Sequence, residues 1–423
     1  MKMKVTLSLL ALTAFACLAA FGLRSAHAAA NTLYVDDDQA QCPGSYTTIQ
    51  AAVNAANPGD TVHVCAGTYH ENVLVNKALT INGAQAGVAV AGRTFADASE
   101  ATVSGAQSVG SSAVFTISVS GVKVDGFSVT DTVNTVGAAD GFDVKNTVNS
   151  ASITNNIIDG ISTTDTTGNG TAQAVYLEAG PDGVQIVGNR MNNVHSNRSA
   201  KGVLIGDSNS TNPSQNITIQ GNSISNVTSD TRGAYGVQIN NGNGATSNAG
   251  LKIQSNTMTN LTGTAGWVHA IGLEANTPGV FVTDNSISNI VSPGADRIAV
   301  WFENEDASFA TGHVNQNNLD VTIAAFGVAV HPALSSGGSV NGTCNWWGSA
   351  AGPGPVGPDS GAMVSPNVIY QPWLIAPGGA CIGGNVPTTK AQCKEGEWQT
   401  HVRTDGSTFK NQGDCIQYVN TGK

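Results

Sequence analysis

Short apolar segments of one type recur at regular spacing along the chain. Each has a small residue, an apolar residue, a variable residue and a second apolar residue, as in GFDV at 141–144. The later copies begin at Ala174, Gly202, Gly236, Ala270, Ala299 and Gly327. Such alternation over so few residues is typical of a short strand that buries one face. The sequence therefore predicts seven equivalent strands.

A recurring asparagine lies between these segments, and an apolar residue follows it two positions later. The asparagines are Asn156, Asn189, Asn222, Asn256, Asn285 and Asn317, with gaps of 33, 33, 34, 29 and 32 residues. A further short strand precedes most of them, as in VQIVGN at 184–189, and a degenerate earlier copy has Phe127 in the asparagine position. Asparagine tolerates the left-handed conformation of sharp turns. We expect each asparagine to form such a turn and to hydrogen-bond its equivalent one coil away.

A period of 29 to 34 residues that holds three short strands indicates a repeat architecture. Helical repeats of this length need a 3.6-residue apolar period, and leucine-rich repeats need a dense leucine framework. Propeller blades need four longer strands. The sequence has none of these patterns. It predicts an all-β, single-stranded parallel β-helix, a solenoid with three short strands per coil and coils about 4.8 Å apart.

Residues 45–83 read SYTTIQAAVNAANPGDTVHVCAGTYHENVLVNKALTING, which is typical of a short amphipathic helix followed by the first strands of a coil. This segment resembles the start of secreted right-handed parallel β-helix proteins of the pectin-lyase-like superfamily. CNWWG at 344–348 is similar to a terminal coil motif of bacterial members. The resemblance implies a right-handed β-helix with an N-terminal cap helix. It leaves the activity open, because the superfamily includes lyases, hydrolases, epimerases and non-catalytic surface proteins.

The two ends of the chain differ from the repeats. A basic MKMK and an apolar run ending in SAHAAA are typical of a secretory signal peptide, which we assign to residues 1–28. We therefore expect a secreted protein, extracellular or at the cell surface. Residues 29–380 are assigned to the β-helix with its cap, and residues 381–423 to a linker and a small cysteine-paired tail.

Six cysteines follow the predicted signal peptide, and an even number in an exported chain favours disulfides. In the simplest scheme, each cysteine forms a disulfide with its neighbour along the chain: Cys42–Cys65, Cys344–Cys381 and Cys393–Cys415. Sequence alone does not prove these pairs. The spacing of zinc ligands is absent from the sequence.

The charge balance narrows the range of partners. Charged residues make up 11% of the chain, and the net charge of −11 becomes about −14 without Lys2, Lys4 and Arg24 (−11 − 3). An acidic chain disfavours binding to nucleic acid and to anionic lipid. We expect a monomer that binds an extracellular polysaccharide and, after signal cleavage, no membrane.

Alignment of the GFDV-type strands predicts columns of outward-facing side chains. Glu274, Glu303 and His331 would lie on three successive coils, and they are the predicted catalytic residues. Two carboxylates about 5 Å apart suit the acid and nucleophile of a retaining glycoside hydrolase. The residues expected to bind substrate are Trp301, Tyr176, Gln238 and Glu178. Aromatic rings among them suit the apolar face of a sugar ring.

A uronate lyase or epimerase would instead need a base and a cation that stabilises a carbanion. Calcium is the candidate cofactor, held by Glu274, Glu303 or Asp306.

Two functions remain open. The first is a polysaccharide lyase or glycoside hydrolase acting on an extracellular glycan, with uronate-containing glycans among the candidates. The second is a non-catalytic cell-surface, adhesion or glycan-binding protein. The acidic column beside aromatic residues favours the enzyme. His195, Arg198 and Lys201 form a compact cationic group that could hold uronic acids, although we interpret it as a solvated loop.

Overall fold

The computed structural model describes residues 30–422 apart from 44, 107–112, 134–135, 169, 207–211, 241–246, 295, 304–310, 323–324, 333–338, 355–359, 384–385 and 404–406. The predicted signal peptide and Asp306 lie outside the described residues. Thr32 and the residues after it form one compact unit. In this described part, no helix is long and apolar enough to cross a membrane.

Short strands account for most of the regular structure. In chain order they are β1 Thr32–Val35, β2 Thr61–Val64, β3 Gly67–His70, β4 Val73–Val75, β5 Thr80–Asn82, β6 Ala101–Ser104, β7 Phe115–Ile117, β8 Lys123–Asp125, β9 Ser128–Val133, β10 Ala139–Val144, β11 Ser152–Thr154, β12 Ile157–Thr163, β13 Thr171–Leu177, β14 Gln185–Val187, β15 Arg190–Ser196, β16 Ser199–Ile205, β17 Thr218–Gln220, β18 Ser223–Ser229, β19 Ala234–Ile239, β20 Lys252–Gln254, β21 Thr257–Gly263, β22 Val268–Leu273, β23 Val280–Thr283, β24 Ser286–Val291, β25 Arg297–Phe302, β26 Gly312–Asn315, β27 Asn318–Asp320, β28 Phe326–Val330, β29 Val340–Asn341, β30 Met363–Val364, β31 Val368–Ile369, β32 Trp373–Leu374 and β33 Cys381–Gly383.

Three long sheets share these strands, and successive strands of the chain enter different sheets. Sheet A has the order β1-β2-β5-β8-β11-β14-β17-β20-β23-β26-β29-β31, sheet B the order β27-β24-β21-β18-β15-β12-β9-β6-β3, and sheet C the order β30-β28-β25-β22-β19-β16-β13-β10-β7-β4. Neighbours within each sheet are parallel, as in β13 and β16. The predicted all-β, right-handed parallel β-helix with three strands per coil is confirmed.

Apolar side chains fill the inside of the coils and stack from one coil to the next. In sheet C, Val203, Val237 and Ile271 occupy the same position of β16, β19 and β22 and are fully buried. Because each coil pairs in register with the next, one inward position of the repeat yields a continuous apolar column. The core is therefore formed by the alternation that the sequence pattern contains.

The recurring asparagines form a buried ladder along the coils. Each side-chain amide donates to the side-chain oxygen one coil away, as Asn189 Nδ2 does to Asn222 Oδ1 at 3.0 Å. Asn345 of the CNWWG motif adds a further rung, accepting from Asn317 Nδ2 at 2.9 Å. The expected left-handed turn lies one residue earlier, at Gly221 (φ 64°), not at Asn222. This displacement leaves the asparagine free to turn its amide into the core.

The N-terminal end of the β-helix is covered by the helix α1, Ile49–Ala55. Thr48 caps it by accepting a hydrogen bond from the N–H of Ala51. Glu71 accepts from the first helical N–H groups, at 2.7 Å from Ile49 N. The buried face of α1 packs on the first coil, so the predicted cap helix is present. A disulfide joins Cys42 to Cys65 beside it.

The C-terminal part of the chain has a second, smaller core. Disulfides Cys344–Cys381 and Cys393–Cys415 are the same neighbouring pairs that the simplest scheme predicts. Two 3₁₀ helices, Ala391–Cys393 and Glu397–Gln399, precede the helix α2, Gln412–Thr421. The second disulfide packs there with two buried aromatic side chains, Phe409 and Tyr418. Three disulfides indicate that the protein folds in an oxidising compartment.

Candidate functional site

Three columns of side chains stand on the outer face of sheet C. The first column contains Asp140, Gln173, Lys201, Tyr235 and His269. The second column contains Asp143, Tyr176, Leu204, Gln238, Gly272 and Trp301. The third column follows the strand ends and contains Lys145, Glu178, Gly206, Asn240, Glu274, Glu303 and His331. The second and third columns are those that the sequence alignment predicts.

The small residue of each repeat packs inside the coil and lies between the first and second outward columns. At Gly202, an added Cβ would lie 2.6 Å from the side chain of Ile224, on the inside of the coil. At Gly202 even an alanine would force its neighbours to shift, which explains the glycine there, whereas the equivalent residues Ala174 and Ala270 are buried alanines. Lys201 before it and Leu204 after it both face outward, and the inward residues are Val203 and Ile205.

A cavity of about 510 Å³ lies over the first coils of these columns. Its polar lining comprises Asp140, Gln173, Lys201, Asp143, Tyr176, Gln238, Asn240, Lys145, Glu178 and Thr171. Three of the four residues predicted to bind substrate, Tyr176, Gln238 and Glu178, are thus brought together. Trp301 belongs to the second column but is not part of the lining. We call this cavity, with the three columns, the sheet C groove.

Lys201 is the buried cation of the groove. Its side chain is only 6% exposed, and the described residues offer its ammonium no hydrogen bond or ion pair. Burial lowers the pKa of Lys201 to about 8, despite the opposing charges of Glu274 and Asp140. An amine with this pKa is mostly protonated at neutral pH but loses its proton readily at mildly alkaline pH. Such a group suits a general base.

The cationic group expected at His195, Arg198 and Lys201 is divided by the fold. His195 lies on β15 of sheet B, with its Nε2 3.3 Å from Asp230 Oδ2. Lys201 lies on β16 of sheet C. The interpretation as a solvated loop is wrong, because Asn197 and Arg198 alone join the two strands.

Tyr235 is the neighbour of Lys201 in the first column and is buried. Its Oη accepts a hydrogen bond from Trp267 Nε1 at 2.5 Å. Burial, and then the nearby charge of Glu274, raise the pKa of Tyr235 well above its ordinary value. The phenol therefore keeps its proton across the range in which Lys201 titrates. A base and a protonated donor occupy adjacent coils.

Asp140 begins the first column, two coils from Lys201. It is 6% exposed, and its buried Oδ1 lacks a hydrogen-bond partner among the described residues. Burial, followed by the charges of Asp143 and Asp131, raises the pKa of Asp140 well above its ordinary value. The raised pKa favours the protonated form of Asp140, which can donate a hydrogen bond. Gln173 lies between it and Lys201 in the column.

The sequence predicts an exposed Glu274 side chain, but in the structure this residue is buried. Its Oε2 accepts from Gln238 Nε2 at 2.6 Å, and its Oε1 lies 3.7 Å from His269 Nδ1. The latter separation is that of an ion pair and is too long for a hydrogen bond. Burial alone would lower the pKa of His269, but contacts with Asp296 and Glu274 raise it overall. Glu274 therefore holds two neighbours of Tyr235, namely Gln238 and His269.

Glu303 and His331 continue the third column on the next two coils. Trp301 Nε1 donates to Glu303 Oε2 at 3.1 Å, and the ring of His331 meets that of Trp301 edge-on at 5.9 Å. The three predicted catalytic residues therefore occupy successive coils, as the alignment expects. The Glu274 carboxylate accepts a hydrogen bond from Gln238 of the preceding coil, whereas the Glu303 carboxylate accepts one from Trp301 of strand β25.

The carboxylates of the groove are largely bound to protein cations or amides. Lys145 Nζ lies 2.6 Å from Asp143 Oδ2 and 2.9 Å from Glu178 Oε1. Within the described residues, the side chains grouped closely enough for a metal ion are Asp36, Asp37 and Asp38, in the N-terminal cap. Asp306, the third ligand expected for calcium, lies outside the described residues, so the calcium site stays an expectation from the sequence.

The first column is absent from the sequence prediction. Each member of the first column directly precedes the small residue of its repeat, and each member of the second column follows that residue two positions later. A search for period-two alternation on both sides of the small residue would have found Asp140, Lys201, Tyr235 and His269. The alignment used only the residues that follow it.

Neither a protein-family profile nor a curated protein sequence matches the chain. Among solved structures, an alginate lyase from a Paenibacillus species is similar at 14% identity, covering 80% of this chain and 99% of that one, with a TM-score of 0.49. A pectate lyase matches at 13% identity over 90% of this chain and 88% of its own, with a TM-score of 0.38. The A-module of a mannuronan C-5 epimerase from Azotobacter vinelandii matches at 14% over 80% and 94%, with a TM-score of 0.32.

Proposed function

We propose that the protein is an extracellular polysaccharide lyase that cleaves a uronate-containing glycan by β-elimination in the sheet C groove. The observation that carries this proposal is the first column: a buried lysine with a pKa of about 8 stands beside a buried, protonated tyrosine. β-Elimination needs a base for a carbon acid and a proton donor for the leaving group. Lys201 and Tyr235 supply these two roles.

The reaction takes the following form. Neutral Lys201 Nζ removes the proton from C5 of the uronate, and that electron pair forms the C4–C5 double bond. The bond from C4 to the glycosidic oxygen breaks, and Tyr235 protonates the leaving oxygen. The Asp140 hydroxyl and the Gln173 amide donate to the uronate carboxylate and stabilise the charge that spreads onto it. The proton gained by Lys201 returns to Tyr235 through solvent.

The remaining groove residues position these groups. Glu274 fixes Gln238 at 2.6 Å and lies against Tyr235, so its loss should disturb both neighbours. Tyr176 in the lining of the cavity and Trp301, two coils beyond its last lining strand β19, offer ring faces for sugar units. We assign Glu274 a positioning role and Tyr176 and Trp301 a role in polymer binding.

The test uses purified protein on a panel of uronate glycans and neutral glycans. Cleavage by elimination gives products with the ultraviolet absorbance of an unsaturated uronate. Lys201→Met and Tyr235→Phe should each lower kcat/KM by about 10²–10⁴-fold. Lys252→Met, an exposed lysine on sheet A, is the matched control and should leave kcat/KM unchanged. Full activity of Lys201→Met would contradict the proposed role of the base.

Glycoside hydrolysis is the second candidate, since Glu274 and Glu303 stand on successive coils. It predicts new reducing ends without absorbance, together with loss of activity in Glu303→Gln. A non-catalytic glycan-binding protein would yield no product from any glycan while Lys201→Met still binds. Addition of calcium or of a chelator in each assay tests the cofactor expected from sequence.

A further inference from the structure

The lysines of the sheet C groove lie over its N-terminal coils, where Lys145 follows β10 and Lys201 lies on β16. Residues 253–389, which include β22, β25 and β28, contain one lysine or arginine, Arg297, against eight aspartates and glutamates. Arg297 is in register with the buried Val268 and not with an outward column. The outer face of these coils is therefore acidic, and we call it the acidic end of the groove.

Three carboxylates belong to the acidic end. Glu274 and Glu303 occupy the third column on successive coils. Asp296 Oδ1 lies 3.1 Å from His269 Nε2, and Glu274 Oε1 lies 3.7 Å from Nδ1 of the same ring. The imidazole of His269 can neutralise at most one of the three charges. The acidic end therefore repels a further carboxylate brought by a ligand, whereas a sugar hydroxyl can donate to its oxygens.

Trp301 places a partly exposed indole at the acidic end. Its second-column neighbours are small, with Gly272 on the preceding coil and Ala329 on the following one. Its Nε1 donates to Glu303 Oε2 at 3.1 Å, which fixes the ring beside the carboxylate. A Cβ added to Gly272 would lie 3.0 Å from the Tyr235 ring, so Gly272 connects Trp301 to the proposed proton donor. An indole beside acceptors suits an uncharged sugar, which has apolar C–H groups and hydroxyl donors.

Gln238 provides a second sign that a ligand donates at this point. It is 4% exposed, lines the cavity and lies next to Gly272 in the second column. Its Nε2 donates to Glu274 Oε2 at 2.6 Å. Its buried Oε1 has no hydrogen-bond partner among the described residues. Because Glu274 holds the amide nitrogen, the amide oxygen is left to accept from a sugar hydroxyl over Gly272.

The order of the groups along the groove determines which sugar lies over Gly272. In the proposed elimination the uronate carboxylate is held by side chains of β10 and β13, and Lys201 on β16 removes the C5 proton. Tyr235 on β19 protonates the oxygen that leaves C4. The sugar attached through that oxygen therefore continues over β22 and β25. The Trp301 ring reaches back towards β22, with its centroid 5.7 Å from that of His269. The leaving sugar is thus the unit at the acidic end.

We propose that the substrate is a heteroglycan in which the cleaved bond joins an uncharged sugar to O4 of a uronate, with the uncharged sugar bound against Trp301. This inference rests on the function proposed above and specifies its substrate class. The C4–O bond breaks, and the proton from Tyr235 completes a hydroxyl on the anomeric carbon of the uncharged sugar. The uronate keeps the C4–C5 double bond. A homopolymer of uronate would instead place a carboxylate against Glu274 and Glu303.

The probe is a 4-linked homopolyuronate before and after partial chemical reduction of its carboxyl groups to primary alcohols. The reduction keeps the backbone and creates bonds between uncharged sugars and uronates. Ultraviolet absorbance follows elimination, and mass spectrometry of labelled products identifies the new reducing ends. We expect kcat/KM per remaining uronate to be about tenfold higher on the reduced polymer, because the like-charge repulsion is absent. Most new reducing ends should be uncharged sugars.

Variants of the acidic end test the source of the selection. Glu303→Gln removes one of three charges and keeps an acceptor, so it should raise kcat/KM on the unreduced polymer about threefold and narrow the ratio between the polymers. Asp320→Asn removes an exposed carboxylate of sheet B and is the matched control, which should leave the ratio unchanged. Trp301→Ala should raise KM for the reduced polymer more than for the unreduced one.

Separate readouts distinguish failure of this inference from failure of the proposed function. Equal elimination on both polymers, with uronate at the new reducing ends, would overturn the inference and leave the function in place. If neither polymer is cleaved, the function fails and binding decides the inference. Isothermal titration with oligomers of the two polymers should then still show tighter binding of the reduced ones, and a smaller difference in Glu303→Gln. Equal affinities, or no binding of either, would overturn the inference as well.

Discussion

Replacement of Lys201 by methionine should stabilise the folded protein while it removes activity. The pKa of Lys201 is about 8 in the folded state, against an ordinary value of 10.5. A difference of about 2.5 units (10.5 − 8) at about 1.36 kcal/mol each means that the buried ammonium costs roughly 3 kcal/mol. Methionine keeps much of the apolar stem without the charge. We expect the free energy of unfolding at pH 7 to rise by up to about 3 kcal/mol, reduced by any packing that is lost.

The size of this stabilisation depends on pH in a defined window. Below about pH 8 the lysine is protonated in both states, and the folded state bears the full penalty. Between about pH 8 and 10.5 the folded protein loses the proton that the unfolded chain retains, so the wild type gains stability as the pH rises. The advantage of Lys201→Met should shrink across this window and disappear above it.

Urea unfolding of the wild type, Lys201→Met and Lys252→Met at pH 7 and pH 10 measures this effect. Groups remote from Lys201 titrate alike in all three proteins, so the difference between two of them isolates the exchanged lysine together with its interactions with Asp140 and Glu274. Lys252 is exposed, and its variant should stay within about 0.5 kcal/mol of the wild type at both values. A Lys201→Met protein less stable than the wild type at pH 7, with no change in the difference by pH 10, would refute the reasoning.

Three further predictions follow from the contacts. The kcat/KM for elimination should rise about tenfold per pH unit up to about pH 8 as Lys201 loses its proton, and a flat pH–rate profile would contradict that role. Asn222→Ala removes four hydrogen bonds of the buried side chain, two of them to the neighbouring asparagines of the ladder, and should lower the free energy of unfolding by about 3–5 kcal/mol. Exposed Gln220→Ala should change it by less than about 0.5 kcal/mol, and urea titration measures both variants. Loss of the disulfide in Cys393→Ser/Cys415→Ser should cost the tail about 3 kcal/mol, visible as faster hydrogen exchange in α2 with the β-helix unaffected.

The fold follows from the sequence because one physical rule is repeated in each coil. Alternation fixes which residues face inward, and parallel pairing in register stacks equivalent residues such as Val203 and Val237. The asparagine ladder could be predicted since a buried amide at fixed spacing needs an equivalent partner. Its turn geometry could not, because Gly221, Ser255 and Asp284 differ chemically and share only a positive φ. Backbone conformation of that kind leaves no common side-chain signal.

The site was only partly predictable, because the repeat aligns some of its residues but does not report which of them are buried. Tyr176, Gln238 and Glu178 lie in columns that the repeat aligns, and the structure brings them into one cavity. Lys201 was hidden in the polar run HSNRSAK, which has the composition of a loop but contains the end of β15 and the start of β16. The burial of Glu274 depends on neighbours in other coils, and no local pattern reports it.

The first column also shows that its polar residues are not required by the fold. Ile298 occupies the position that follows His269, on the next coil, and is 4% exposed, and Phe326 continues the column beyond it. An apolar side chain therefore satisfies this place in a β-helix without the desolvation that a buried charge incurs. Lys201 bears that cost where Ile298 does not, because burial lowers its pKa to about 8. If Lys201 served stability alone, Lys201→Ile would weaken the protein. We expect instead a more stable protein, which under the proposed function is also inactive, and urea unfolding together with the elimination assay measures both.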